Sequence, residues 1–221
     1  MAHRKIACID LSDLAVRQDK IAEELAHAAT EVGFLQVTNH GIPQQLIDAQ
    51  FARSKQFFDL PEESKAQCTM EKGSNKGWEK GKQVRPSSGV ADMKESLQVQ
   101  WHRMEGSWPT EQTLPGFRGG TSEFMDACQK LSKQLLSVLA IALKLPEDIF
   151  TKAHQGDADD CLATLRMLHY QDITGSTFPD NYWRAAPHAD FDTITLLFQR
   201  PGQGGLEVRL WSEWLVRLAE L

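Results

Sequence analysis

The sequence predicts an α+β protein. Three observations carry that reading: a strand–helix–strand opening, a long amphipathic helix in the middle, and a change to strand texture from Leu162 onward. At 221 residues the chain has the length of one domain, or of one domain with an added subdomain, and can bury a sizeable core.

The elements follow in order. Ile6 to Leu11, "IACIDL", alternates as a short strand does, and Asp19 to Val32 places Ile21, Leu25, Ala28, Ala29 and Val32 on one helix face. Gly33 ends that helix, and "FLQVTNHG" returns to period two. Pro43 opens a second helix with Leu46, Ile47, Phe51, Lys55 and Phe58 on one side, and Pro61 opens a short third. Thr69 to Val90 is rich in glycine and poor in apolar anchors, which predicts a loop or lid; its segment Lys72–Arg85 is the densest basic stretch of the chain. "KESLQVQW" reads as a strand, and a helix is expected over about Ser122–Leu145, buried along Phe124, Cys128, Leu131, Leu135, Val138, Leu139 and Ala142 and ended by Pro146. "LATLRMLHYQ", "PHAD", "TITLLFQ" and "GGLEV" then read as strands.

Charge and composition narrow the function. A net charge of −6 and no basic patch argue against a nucleic-acid or anionic-membrane surface. The longest uncharged apolar run, Leu135–Leu143, is about half a membrane span, and no signal-type segment opens the chain. The four cysteines (Cys8, Cys68, Cys128 and Cys161) are scattered with no pairing rhythm, which fits a reducing compartment; a cytoplasmic protein is expected.

The stretch "AAPHADFDTITLLFQ" sets His188 and Asp190 two positions apart, the spacing that puts a nitrogen and an oxygen donor on one face of an extended chain. The spacing is common by chance. Its setting is not: "GFLQVTNHGIP", "FFDLPEESK", "DMKESLQV", "WPTEQTLPGFR", "LHYQD", "PHAD", "TLLFQ" and "GGLEV" come in the order and spacing of a known group. From about Ile6 to Val208 the chain resembles the iron(II)/2-oxoglutarate-dependent oxygenases of the isopenicillin N synthase type.

The resemblance implies an N-terminal helical and strand segment packed on a double-stranded β-helix, a jelly roll that is incomplete at the C-terminus. Its division would be 1–120 for the N-terminal oxygenase segment, 121–208 for the long helix and first half of the core, and 209–221 for a divergent tail. It implies Fe(II), with 2-oxoglutarate as co-substrate, oxidising a small organic metabolite with dioxygen by hydroxylation, desaturation or ring formation. His188 and Asp190 map onto two of three metal ligands, and Tyr170 onto a tyrosine that bonds the 2-oxoglutarate carboxylate. Leu168 departs from the usual asparagine two positions earlier. His169 alternates away from Tyr170, His40 matches a turn residue, and Asp192 is a less direct rival to Asp190.

No histidine follows Asp190, and none of Arg200, Arg209 and Arg217 stands in the Arg-x-Ser setting of the family's carboxylate clamp. The tail spaces Leu210, Trp211, Trp214, Leu215, Leu218 and Leu221 as a helix does. The rival expectation is therefore a non-catalytic fragment or partner-binding module lacking the distal metal ligand, and a third is a ligand supplied by another subunit. A monomer is expected of the full-length family, with self-association open to a chain that has an uncovered sheet edge.

Overall fold

The computed structural model describes residues 6–85, 87–101, 103–155, 161–179, 182–209 and 216–217. They fall into two compact units, 1–42 with 128–154 and 192–221, and 43–127 with 155–191.

In the first unit, β1 (Ala7–Asp10) and β2 (Leu35–Thr38) pair in parallel, joined by helix α1 (Leu14–Glu31). Helix α1 starts earlier than its apolar pattern suggests, with a kink at Arg17, and buries Ile21, Ala22, Leu25 and Ala28, the expected stripe. Gly33 ends it at φ +82°, its N–H donating to the Ala28 carbonyl at 3.1 Å. A side chain would be strained in that left-handed conformation.

The second unit is built on a three-stranded antiparallel sheet, ordered β3 (Gly77–Lys80), β4 (Glu95–Gln100), β5 (Thr164–His169). Strand β3 lies inside the stretch expected to be a loop. Its cross-strand partners are already paired: Trp78 faces Leu97, and Lys80 faces Glu95. Every residue of β4 is buried, as befits the central strand. One sheet face carries Trp78, Leu97, Val99 and Met167, and it packs in one core with Phe57, Phe58, Phe117 and Met125. Phe57 and Phe58 come from α2 (Gln44–Phe58). That helix buries Ile47, Gln50, Phe57 and Phe58, whereas Lys55, expected on the inner side, is exposed and pairs with Asp59. Charge decides here: an ammonium stays in water when a carboxylate one turn away can meet it there. A short helix, α3 (Glu62–Ala66), follows Pro61.

Helix α4 spans Phe117–Ala142. It ends short of Leu145 because Lys144 turns left-handed at φ +57°, after which the Leu145 N–H returns to the Ala140 carbonyl. A short helix, α5 (Ile149–Ala153), follows. Two expectations for the C-terminal part are corrected. "TITLLFQ" and "PHAD" form no strand among the described residues, and Leu197 stands 57% exposed: alternation alone does not make a strand, whose backbone groups need a ladder partner. In the tail, Val216–Arg217 forms β7, which pairs antiparallel with β6 (Glu207–Val208), so a continuous helix is excluded there. Leu210, Trp211, Trp214, Leu215, Leu218 and Leu221 lie outside the described residues. Among the described residues no helix is long and apolar enough to cross a membrane.

Candidate metal centre

The sheet of the second unit has two unlike faces. Opposite the apolar core, the register aligns Glu79 with Ser96 and Leu168, and Gln98 with Arg166. Strand alternation adds Tyr170 to this polar face, just past the end of β5. Glu79 accepts hydrogen bonds from Ser96 Oγ at 3.1 Å and Gln98 Nε2 at 3.3 Å, while Arg166 reaches Gln83 Oε1 at 3.5 Å. Burial pulls the Arg166 guanidinium below its ordinary pKa, an effect the charges of Glu79 and Asp190 oppose. Burial pushes the Tyr170 phenol up, and the nearby Asp92 carboxylate adds to it. The Arg184 guanidinium lies over the Tyr170 ring, 5.2 Å from its centre, and among the described residues no group hydrogen-bonds the phenol oxygen.

His169 points to the other face. Its ring stacks on Phe58 with centroids 5.2 Å apart, and its Nδ1 hydrogen-bonds Glu95 Oε1 at 2.8 Å. Glu95 also receives the Trp78 indole N–H at 2.8 Å and Lys65 Nζ at 2.9 Å. Burial raises its pKa, and the bonds from His169, Lys65 and Trp78 together outweigh burial and hold the carboxyl below the ordinary value.

His188 and Asp190 stand on a non-strand segment, yet their side chains converge, with Nε2 of the imidazole 3.6 Å from Oδ1 of the carboxylate. His188 Nδ1 sits 2.8 Å from the Ala186 carbonyl oxygen. A carbonyl only accepts, so Nδ1 carries a proton, and in the neutral ring that leaves the Nε2 lone pair on the side of Asp190. Adjacent ligands on one ion, at bond lengths of about 2.1 Å, sit roughly 3 Å apart. The observed gap is within a small side-chain adjustment of that value, and imidazole with carboxylate is the donor chemistry of a non-haem iron(II) site. The pair therefore fits two protein positions of such a centre. Among the described residues no group of three His, Cys, Asp or Glu side chains gathers.

The segment bearing the pair is held from 83–94. The Met93 N–H donates to the Trp183 carbonyl at 2.9 Å, Ser87 Oγ to the Pro187 carbonyl at 2.7 Å, and the Ala186 N–H to Asp92 Oδ1 at 2.9 Å. Asp92 is 1% exposed, and its Oδ2 accepts from Lys94 Nζ at 2.6 Å and Arg85 Nε at 3.3 Å. Burial raises the Asp92 pKa, but the bonds from Lys94, Ala186 and Arg85 outweigh it and leave the carboxyl below its ordinary value. Burial draws the Lys94 ammonium down. Sequence reasoning passed over Asp92, Lys94 and Arg85. The signal lay in a carboxylate and an ammonium two positions apart at the start of a wholly buried strand, where unpaired charges are not tolerated.

Asp192, the rival carboxylate, is exposed. His40 Nδ1 accepts the Ile42 N–H at 3.2 Å, and its ring meets Phe198 edge-on at 6.5 Å, a packing and turn role. Arg200 is exposed.

Residues 6–115 match the family model described as "non-haem dioxygenase in morphine synthesis N-terminal". The chain is 35% identical over 208 residues to the proline hydroxylase buaE of Petromyces alliaceus, covering 90% of this chain and 64% of that protein. It is 31% identical over 215 residues to the 2-oxoglutarate-dependent dioxygenase ecdK of Aspergillus rugulosus, covering 88% and 63%. Its length thus spans a little under two thirds of these curated relatives. Among solved structures it superposes on a full-length Neurospora crassa protein in complex with alpha-KG at a TM-score of 0.82 and 25% identity, covering 97% of this chain and 70% of that one. JOX2 in complex with 2OG, Fe and JA matches at a TM-score of 0.75 and 25% identity, over 95% of this chain and 60% of that one. The β-helix architecture expected from the sequence is thereby that of its structural relatives, of which the described residues hold a part. Residues 6–115 belong to the N-terminal family of the non-haem dioxygenases, and the chain as a whole is similar to the 2-oxoglutarate-dependent dioxygenases.

Proposed function

We propose that this protein serves the oxidation of a small organic metabolite with Fe(II), dioxygen and 2-oxoglutarate, His188 and Asp190 holding the metal and Tyr170 contacting the co-substrate. The observation that carries the reading is the convergence of His188 Nε2 and Asp190 Oδ1 at 3.6 Å, with the imidazole proton already committed to the Ala186 carbonyl. When bound, the metal supplies the oxygen and redox chemistry that side chains lack. The chain's own residues bind and orient. The Nδ1–H bond of His188 fixes its ring, and the Asp190 carboxylate offers charge. The Tyr170 hydroxyl donates to an anionic oxygen; Arg166 and Arg184 add positive charge near an anionic co-substrate. The net charge of −6 and dispersed cysteines support a cytoplasmic enzyme of metabolites rather than a nucleic-acid binder.

The test is anaerobic titration of the purified protein with Fe(II) and 2-oxoglutarate, followed by visible absorption. A metal-to-co-substrate charge-transfer band, lost in His188→Ala, supports the reading. No band from soluble, folded protein overturns it and favours a second: a non-catalytic or partner-binding module. The observation behind that alternative is the lack of a third gathered ligand among the described residues. A band formed only after mixing with a second protein would assign the missing ligand to another subunit.

A further inference from the structure

We propose that Asp92 is the positioning residue of the metal pair, acting through the backbone of Ala186. Ala186 is 1% exposed, and both of its backbone polar groups are used. Its N–H donates to Asp92 Oδ1 at 2.9 Å, and its carbonyl accepts the His188 Nδ1–H at 2.8 Å. One residue thus couples a buried carboxylate to the ring that presents Nε2. The anchoring end is rigid for a physical reason. Asp92 is buried with Lys94 and Arg85 on its second oxygen, and removing the carboxylate would strand two cations. The flanking bonds from Met93 to Trp183 and from Ser87 to Pro187 hold the same segment but touch neither polar group of Ala186. They fix the path of the chain. Asp92 fixes the peptide that orients the imidazole, the outer-partner role that sets tautomer and ring angle in metal sites.

The proposal rests on His188 and Asp190 being metal ligands, so its test includes a metal-free readout. In the apoprotein, the Ala186 amide is expected to exchange with solvent as slowly as the amides of β4, and the His188 ring to show a single Nδ1–H tautomer by nitrogen NMR. In Asp92→Ala the amide should exchange on the order of tenfold faster or more, and the tautomers should mix. Asp92→Asn keeps an acceptor for Ala186 and should restore both signals in the folded protein, at lower stability because Lys94 and Arg85 lose their counter-charge. With Co(II) as the probe, Asp92→Ala should bind on the order of 10- to 100-fold more weakly than wild type, and Asp92→Asn close to wild type. Glu95→Gln, a change at the buried carboxylate on the other face, should lower thermal stability without moving Co(II) affinity. Fast exchange at Ala186 in the wild-type apoprotein overturns the proposal, even if Asp92→Ala fails to fold. Equal weakening of Co(II) binding by Glu95→Gln also overturns it. Correct apoprotein signals with no Co(II) binding by the wild type would instead sink the metal assignment.

Discussion

Glu95 and His169 face each other across β4 and β5 and share a hydrogen bond of 2.8 Å, with the Lys65 ammonium closing on the same carboxylate at 2.9 Å. Helix, sheet and indole meet at one buried anion. Glu95→Gln removes its charge while leaving Lys65 buried, and stability should fall by about 3 kcal/mol, measured by urea denaturation at neutral pH.

The same carboxylate predicts an acid limb. Its folded pKa lies below the ordinary 4.5, so its contribution is full above that value and is lost as pH falls through the folded value. Lys65 from α3, Trp78 from β3 and His169 from β5 are the groups that face it. Stability curves from pH 7 to about pH 3 should therefore slope less steeply in Glu95→Gln than in wild type. Parallel curves would contradict the assignment.

Gly77 opens β3 at φ +104°, and a Cβ there would come within 2.6 Å of the Cys68 carbonyl oxygen. That carbonyl is already engaged by the Trp78 N–H at 2.7 Å, so the backbone has little room to yield. Gly77→Ala should cost on the order of 2 kcal/mol, seen as a lowered urea midpoint, with Gly73→Ala as a milder control because its Cβ meets open space.

Tyr170→Phe removes one neutral donor and nothing from the apolar packing. Affinity for 2-oxoglutarate should weaken about fivefold, corresponding to roughly 1 kcal/mol, read from the charge-transfer titration. An unchanged affinity would leave Tyr170 as a packing aromatic under Arg184.

Asp190→Ala should abolish Fe(II)-dependent absorption, whereas Asp192→Ala should retain it. The reverse result would transfer the carboxylate role to Asp192.

The apolar elements were readable where burial follows a single period. Helix α1 places Leu25 inside as its period requires, whereas β4, legible as a strand, is buried on both faces rather than on alternate residues. Strand β3 was hidden because Trp78 is its only large apolar residue and Gly77 and Gly81 bracket it; what makes it a strand is pairing to β4, a long-range fact. "TITLLFQ" failed the opposite way, carrying a strand's alternation while forming no strand among the described residues. At the site, the His188–Asp190 spacing was visible locally. Asp92 was not, because its bond to Ala186 crosses 94 positions that no local pattern spans.

The separations also set an order of assembly. Asp10 and Asn39, at the ends of the parallel pair, bond across 29 positions, while Gln100 and Thr164 meet across 64 and Glu95 and His169 across 74. Loop closure favours the nearer encounter, so the parallel pair should form early and β5 should dock late. During synthesis on the ribosome, Glu95 and Lys65 emerge well before His169. Until β5 arrives, the edge of β4 that will receive it is an open template, and slowing its delivery would lengthen exposure to chaperones and to aggregation.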